Sequence, residues 1–219
     1  MIKVLIFDFD GLILDTEKAD YLSWKETFEK YDVELPLSLW HSYIGTIGFD
    51  VYSLLEQSVG RPLDRQTVRA FRKARDNEII AQETILPGVE QYLAEARQAN
   101  LRIGLASSSK HDWVEFHLHR LGLIDQFEVI CCRDDVNNQA KPDPAVYQFA
   151  LKQLGVAPEA ALALEDSPVG VAAAKGAGIW VTAVPNQMTQ SLDFTQADYR
   201  LNSLAEIPLS QLITEVLNV

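Results

Sequence analysis

Cysteine is nearly absent: two residues in 219, and they are neighbours, Cys131 and Cys132. A disulfide between adjacent residues is strained, so no disulfide framework is expected, and a reducing, cytoplasmic setting is the default reading. Long apolar runs are missing too. No stretch approaches the roughly 18 residues of a membrane span. The N-terminal run Ile2–Phe7 is too short for a signal-peptide core and leads straight into Asp8 and Asp10. Basic charge is scarce, with 19 Lys and Arg against 31 Asp and Glu for a net charge of −12. An acidic surface repels phosphate backbones, which argues against a nucleic-acid partner and requires that any anion be held by a local site. No G-x-G-x-x-G or Walker loop follows any predicted strand, which argues against a nucleotide-binding module. Nothing in the chain indicates an obligate protein partner. With 47% apolar residues, 11 Gly and 9 Pro, the composition excludes disorder, collagen-like repeats and low complexity.

What the chain does have is alternation. Ile2–Phe7 is a nearly continuous apolar run, as in a strand buried on both faces of a parallel sheet. Arg102–Ser107, Phe127–Cys132, Ala161–Glu165 and Ile179–Val184 resemble it. Helical stripes lie between them: Val89, Leu93 and Ala96; Val114, Leu118 and Leu121; Val146, Phe149 and Ala150. Asp143 reads as an N-cap with Pro144 at the first helical position and Gly155 as the stop; Ser167-Pro168 opens the next helix and Gly176 ends it. This predicts an α/β fold with a doubly wound parallel sheet. Residues 16–85 break the pattern with helical segments at Tyr21–Tyr31, Asp50–Val59 and Asp64–Ile80 and no convincing strand. They read as an all-α insertion, a helical cap, leaving 1–15 and 86–219 as the core domain.

In open α/β sheets, ligands sit beyond the carboxyl ends of the strands. The polar residues expected there are Asp8 and Asp10, Ser107 with Ser108 and Ser109, Lys141, and Glu165 with Asp166. Four acids on one sheet edge repel strongly unless a cation lies among them. Oxygen donors without a converging histidine or cysteine suit Mg²⁺, and Lys141 with the Ser107 hydroxyl suits a phosphoryl group. A carboxylate attacks a phosphate once metal and lysine offset the repulsion. Read singly, each feature has an ordinary alternative. The aspartates would be turn residues, Lys141 a loop lysine, Ser109 a helix cap directed at Asp112, and Glu165-Asp166 charge feeding a helix N-terminus. His111, His117 and His119 read as solvated, Cys131 and Cys132 as one buried and one half-exposed thiol. Trp24, Trp40, Trp113 and Trp180 read as packing, and Arg72, Lys73 and Arg75 as a solvated helix face.

Taken in order, Asp8-Phe9-Asp10-Gly11-Leu12-Ile13-Leu14-Asp15-Thr16, Ser107, Lys141 and Glu165-Asp166 resemble the four motifs of the haloacid dehalogenase superfamily. The chain looks most like its phosphatase and β-phosphoglucomutase-like branch. The resemblance implies a Rossmann-like core with a helical cap, Mg²⁺ as cofactor and a small phosphorylated metabolite as substrate. It implies Asp8 as the nucleophile that forms an aspartyl-phosphate and Asp10 as general acid and base. Ser107, Ser108 and Lys141 would hold the phosphoryl oxygens, and Asp8, Asp10 through its backbone carbonyl, Glu165 and Asp166 the metal. Gly45 and Thr46, in a loop between cap helices, are the expected substrate contacts. A signalling receiver also combines acids, Mg²⁺ and a lysine, but it is roughly half this length and carries its aspartate on the third strand. Within the branch, mutases carry a cap histidine four residues after the motif's threonine and a cap arginine three after a loop glycine. Here those positions are Asp20 and Gly48, so a phosphatase is expected and a sugar-phosphate mutase is the alternative.

Overall fold

The strand Val4–Phe7 (β1) has no side chain in contact with solvent. Helices therefore cover both of its faces, as the unbroken apolar run requires. The computed structural model describes residues 1–43 and 50–218. Among them, β1 is joined by Arg102–Ala106 (β2), Val129–Cys131 (β3), Ala161–Glu165 (β4), Trp180–Ala183 (β5) and Tyr199–Arg200 (β6). All pair in parallel in the order β3-β2-β1-β4-β5-β6. Chain order runs outward from β1 to one edge, then returns to start again on its other side at β4. The carboxyl ends of β1 and β4 thus flank the point where the winding reverses, the place where open α/β sheets bind ligands.

The helical complement is Thr16–Glu29 (α1), Leu37–Tyr43 (α2), Val51–Val59 (α3), Arg65–Gln82 (α4), Val89–Gln98 (α5), His111–Leu121 (α6), Ala145–Leu154 (α7), Pro168–Gly176 (α8) and Leu209–Leu217 (α9). On one face of the sheet, Val4 and Ile6 pack with Val146, Tyr147, Ala150, Leu154 and Ala173 from α7 and α8. Phe7 points the other way, with its ring edge-on to Phe127. No helix of the described residues is long and apolar enough to cross a membrane.

The chain divides into two units: residues 1–14, 84–186 and 192–219, which contain the sheet, and residues 15–83 with 187–191, which contain α1–α4. The helical unit has its own core of Tyr21, Trp24, Phe28, Leu35, Trp40, Leu55 and Val68. It includes a segment that lies outside the expected 16–85 boundaries, because Met188 is buried in that same core. Within the unit, Arg72 pairs with Asp20 at 2.8 Å and Asp76 at 3.0 Å, and Arg75 pairs with Glu26 and Glu78. Arg72 and Arg75 are therefore matched by acids rather than simply solvated, while Lys73 is exposed as expected.

Several local expectations differ from the fold. Asp64 and Asp50 cap α4 and α3 through their carboxylates, but α2 and β6 carry no strong periodic signal and were not expected. Pro144, not Asp143, is the N-cap of α7; the Asp143 carboxylate accepts from Ala145 N–H at 2.9 Å instead. Gly176 is the last residue of α8, and the chain turns at Gly178, whose φ is +80°. Both cysteines are free and buried, so neither thiol is half-exposed. Gly45, Thr46 and Gly48 lie outside the described residues.

Gly88 enters α5 with φ +89°, and a Cβ there would lie 2.2 Å from the Leu204 carbonyl carbon and 2.3 Å from Ala205 N. The left-handed conformation alone costs an L-residue about 1–2 kcal/mol, and backbone atoms do not yield as side chains do. Gly88→Ala is expected to lower the melting temperature by several degrees, at about 2–4 °C per kcal/mol for a chain this size. Thermal denaturation followed by circular dichroism checks it.

Candidate active site

Lys141 follows β3 and a short 3₁₀ turn at Arg133–Val136, opening the segment that leads to α7, and its side chain is only 5% exposed. Its ammonium donates to Asp8 Oδ1 at 2.5 Å, Glu165 Oε1 at 2.6 Å and the Ala106 carbonyl at 2.9 Å. Three strands thus meet at one charge: β1 just before Asp8, β2 at Ala106 and β4 at Glu165. A lysine has three ammonium protons, and all three have acceptors here. The position is fixed from behind, since Lys141 N–H donates to the Ser108 hydroxyl at 3.1 Å. Ser108, expected to hold phosphate, has its hydroxyl on the lysine's own backbone.

Asp8, Glu165 and Asp166 are all buried, and one carboxylate oxygen of each lies within 4.8 Å of the others. Burial pushes the Asp8 carboxyl up against the pull of Lys141, and the charges of Glu165 and Asp10 add to the rise. Burial pulls the Lys141 ammonium down, but Asp8 and Glu165 outweigh it and leave its pKa raised. One ammonium among these acids leaves negative charge uncompensated. Glu165 also receives the Tyr147 hydroxyl on Oε1, while its buried Oε2 has no hydrogen-bond partner among the described residues. Hard oxygen donors, crowded, buried and short of positive charge, fit a divalent cation of the Mg²⁺ kind.

The acids come this close because glycines make room. Gly11 has φ +79°, and a Cβ on it would fall 2.1 Å from Asp166 Oδ2. Asn186, just past β5, donates to the same Oδ2 at 2.8 Å and to the Gly11 carbonyl at 3.1 Å, tying the β1 loop to the β4 end. Gly170, in the first turn of α8, lies under Glu165: a Cβ there would be 1.8 Å from Oε2.

Asp10 sits on the other side of the cluster, held by donors rather than by the lysine. Oδ2 accepts from the Ser109 hydroxyl at 2.7 Å and, more weakly, from the Ser107 hydroxyl at 3.4 Å; Oδ1 accepts from the Trp113 indole N–H at 3.0 Å. Ser109 therefore does not cap α6 toward Asp112; Lys110 is the N-cap, without a side-chain bond. The fully buried Ser107 hydroxyl accepts from Ser109 N–H at 2.9 Å.

The structure thus gathers Asp8, Asp10, Ser107, Lys141, Glu165 and Asp166 at one sheet edge. Sequence reasoning placed Ser109 at this edge but read it as a helix cap rather than a partner of Asp10, and it missed the roles of Trp113, Tyr147 and Asn186. The carboxyl-end rule could have flagged Asn186, three residues past β5; Trp113 and Tyr147 reach the site from α6 and α7, which only the packed fold brings there.

His119 is exposed as expected, but the other two histidines of α6 are not. His117 is buried, and burial and Arg120 lower its pKa. His111 is half-buried between Glu115, 2.8 Å from Nδ1, and Asp135, 2.7 Å from Nε2. Cys132 and Asp134 lie close by, but both ring nitrogens already face carboxylates. Burial lowers the His111 pKa, yet the bonds to Asp135 and Glu115 and the charges of Asp135 and Asp134 raise it overall.

Placed beside known proteins, the chain matches the haloacid dehalogenase-like hydrolase family model over residues 5–184. It is 47% identical over 214 residues to the Bacillus subtilis phosphatase candidate YhcW, covering 97% of both chains. It is 31% identical over 191 residues to the β-phosphoglucomutase of the same organism, covering 83% of each. The crystal structure of CbbY from Rhodobacter sphaeroides in complex with phosphate superposes with a TM-score of 0.74 at 29% identity, covering 97% of this chain and 100% of that one. The doubly wound sheet and these matches together define a hydrolase with an α/β fold. The chain is a member of the haloacid dehalogenase-like hydrolase family.

Two outcomes follow from this geometry. Glycine to alanine inside a helix ordinarily stabilises by up to about 1 kcal/mol. Gly170→Ala is expected to destabilise instead, because the methyl displaces Glu165 from Lys141 and Tyr147; the melting temperature decides the sign. For His111, a raised folded pKa means its ion pairs contribute fully below the unfolded value and are lost as pH rises through the folded one. The stability deficit of His111→Gln relative to wild type should be larger near pH 6 than near pH 9, as measured by urea denaturation at both.

Proposed function

We propose that the protein is a Mg²⁺-dependent phosphatase that hydrolyses a small phosphorylated metabolite, of sugar or polyol phosphate type, through an aspartyl-phosphate on Asp8. The carrying observation is the buried Lys141 ammonium shared between Asp8 and Glu165, 2.5 and 2.6 Å away. It holds a carboxylate where it could face a phosphoryl group, and it supplies positive charge for the oxygens of that group. The family membership and the phosphatase-designated relative support the same reading.

Asp8, Glu165 and Asp166, with the Asp10 backbone carbonyl, would hold the metal. When bound, it neutralises charge on the carboxylates and on the phosphate. Asp8 attacks phosphorus as the ester oxygen leaves, so one P–O bond forms and another breaks. Asp10 delivers its proton to the departing alkoxide, which leaves as the alcohol. It then takes a proton from the water that displaces phosphate from Asp8. Ser107 and Lys141 hold the phosphoryl oxygens, for which the ammonium gives up one of its three acceptors, and the burial of Lys141 strengthens its pull.

A mutase is the second reading, favoured by the 31% identity to a β-phosphoglucomutase. A mutase must grip a second phosphate. Arg72, which pairs with the residue at the position expected of its histidine, and Arg75 each already face two carboxylates. Asp20 at that position is an acid pushed up to about 6 by burial, against Arg72 and with Asp76. Neither arrangement recruits an anion, which supports hydrolysis.

Excess EDTA is expected to abolish hydrolysis of an aryl phosphate and added Mg²⁺ to restore it; full activity in chelator overturns the metal reading. Asp8→Asn should leave no covalent phosphoenzyme and only background turnover. Asp10→Asn should lose about 10²–10⁴-fold. Phosphate release and a coupled glucose 6-phosphate assay, run on β-glucose 1-phosphate, separate the two enzymes: a phosphatase gives no glucose 6-phosphate above background.

A further inference from the structure

The mechanism needs Asp10 to present one oxygen to a leaving group, and the structure treats its two oxygens differently. Oδ1 faces the Trp113 indole at 3.0 Å; Oδ2 faces the hydroxyls of Ser109 at 2.7 Å and Ser107 at 3.4 Å. An indole N–H only donates, whereas a hydroxyl both donates and accepts and rotates to suit. When Asp10 carries a proton, the oxygen on Trp113 serves best as the bare carbonyl acceptor. The proton then belongs on Oδ2. That oxygen also lies on the Ser107 side, where the phosphoryl group is expected.

The ring that makes this distinction is itself fixed. Trp113 packs edge-on against His117, with centroids 4.4 Å apart and planes at 69°. His117 is buried, accepts from Arg120 Nε–H on Nδ1 at 3.3 Å, and packs beside Phe9, the residue before Asp10. The indole is thus braced by the same cluster that sets the β1 loop. A donor held this way orients its partner without reorganising during the reaction.

We propose that Trp113 is a positioning residue for Asp10. Its indole N–H pins Oδ1 and turns Oδ2 toward the substrate as the oxygen that delivers the proton. The proposal rests on the reading of Asp10 as the general acid. It assigns to a residue in the first turn of α6 a part in the reaction that neither packing nor phosphate binding requires.

Leaving-group dependence tests it. 4-Nitrophenolate departs with little help from an acid, whereas an alkoxide needs its proton. Values of kcat/KM, which report transfer to Asp8, are measured at saturating Mg²⁺ for 4-nitrophenyl phosphate and for a simple alkyl monophosphate. Trp113→Phe keeps the ring and removes the donor. It is expected to lose roughly ten- to hundredfold on the alkyl ester and much less on the aryl ester, with inhibition by inorganic phosphate unchanged. Ser109→Ala, which touches no aromatic packing, should show the same bias. Asp10→Asn should show it more strongly, and the double variant Trp113→Phe/Asp10→Asn should be no worse than Asp10→Asn alone. Equal losses of Trp113→Phe on both esters, or losses that multiply with those of Asp10→Asn, overturn the proposal and leave Trp113 a packing residue. If Asp10→Asn itself shows no bias, the general-acid reading falls and takes this proposal with it. If Asp10→Asn shows the bias and Trp113→Phe does not, only the role of Trp113 falls.

Discussion

One buried ammonium organises this protein. Lys141 gives its three protons to Asp8, Glu165 and the end of β2, so the loops beyond three strands must end at one point. An ammonium removed from water is tolerable only with such partners, and breaking a buried ion pair from one side costs about 3–5 kcal/mol. The contact therefore ties the loops beyond β1 and β4 to the end of β2. It also leaves the site short of positive charge. The protein keeps several carboxylates close together and dry, a destabilising arrangement that a cation and a phosphate would complete.

The fold makes that arrangement possible through backbone more than side chains. Beyond β1 and β4 the chain needs acids on adjacent strands and almost no volume around them. Gly11 and Gly170 provide the space, one beside Asp166 and one beneath Glu165. The large residues are set back: Tyr147 closes the floor and Trp113 the side wall, each spending its single polar hydrogen on a carboxylate. Division of labour among the acids follows from these neighbours. Asp8 faces a fixed charge, whereas Asp10 faces neutral donors that can yield.

Much of this was legible in the chain. Apolar runs without alternation specify strands buried on both faces, and their spacing by helical stripes specifies parallel crossovers, so β1 to β5 and the helical interruption could be read from periodicity. The site acids could be read because each falls at the end of such a run, where loops must converge. β6 could not, because two residues carry no period. Nor could the attachment of Gln187–Ser191 to the helical unit, since Met188 joins a core whose other residues lie more than a hundred positions away.

What the sequence by itself determined is therefore the set of chemical groups and the sheet edge at which they meet, because hydrophobic periodicity and strand ends are local properties. Only the tertiary structure decided who holds whom. Ser109 serves as well for a helix cap as for a carboxylate donor, and it became the latter because α6 starts with Lys110 at its cap and Asp10 lies within 2.7 Å. Trp113 reads as packing until its indole is seen against Oδ1, and His117 reads as solvated until the aromatic cluster closes over it. Hydrogen-bond partners distant in sequence are chosen by distances of tenths of an ångström, and those are set by the packing of the whole chain.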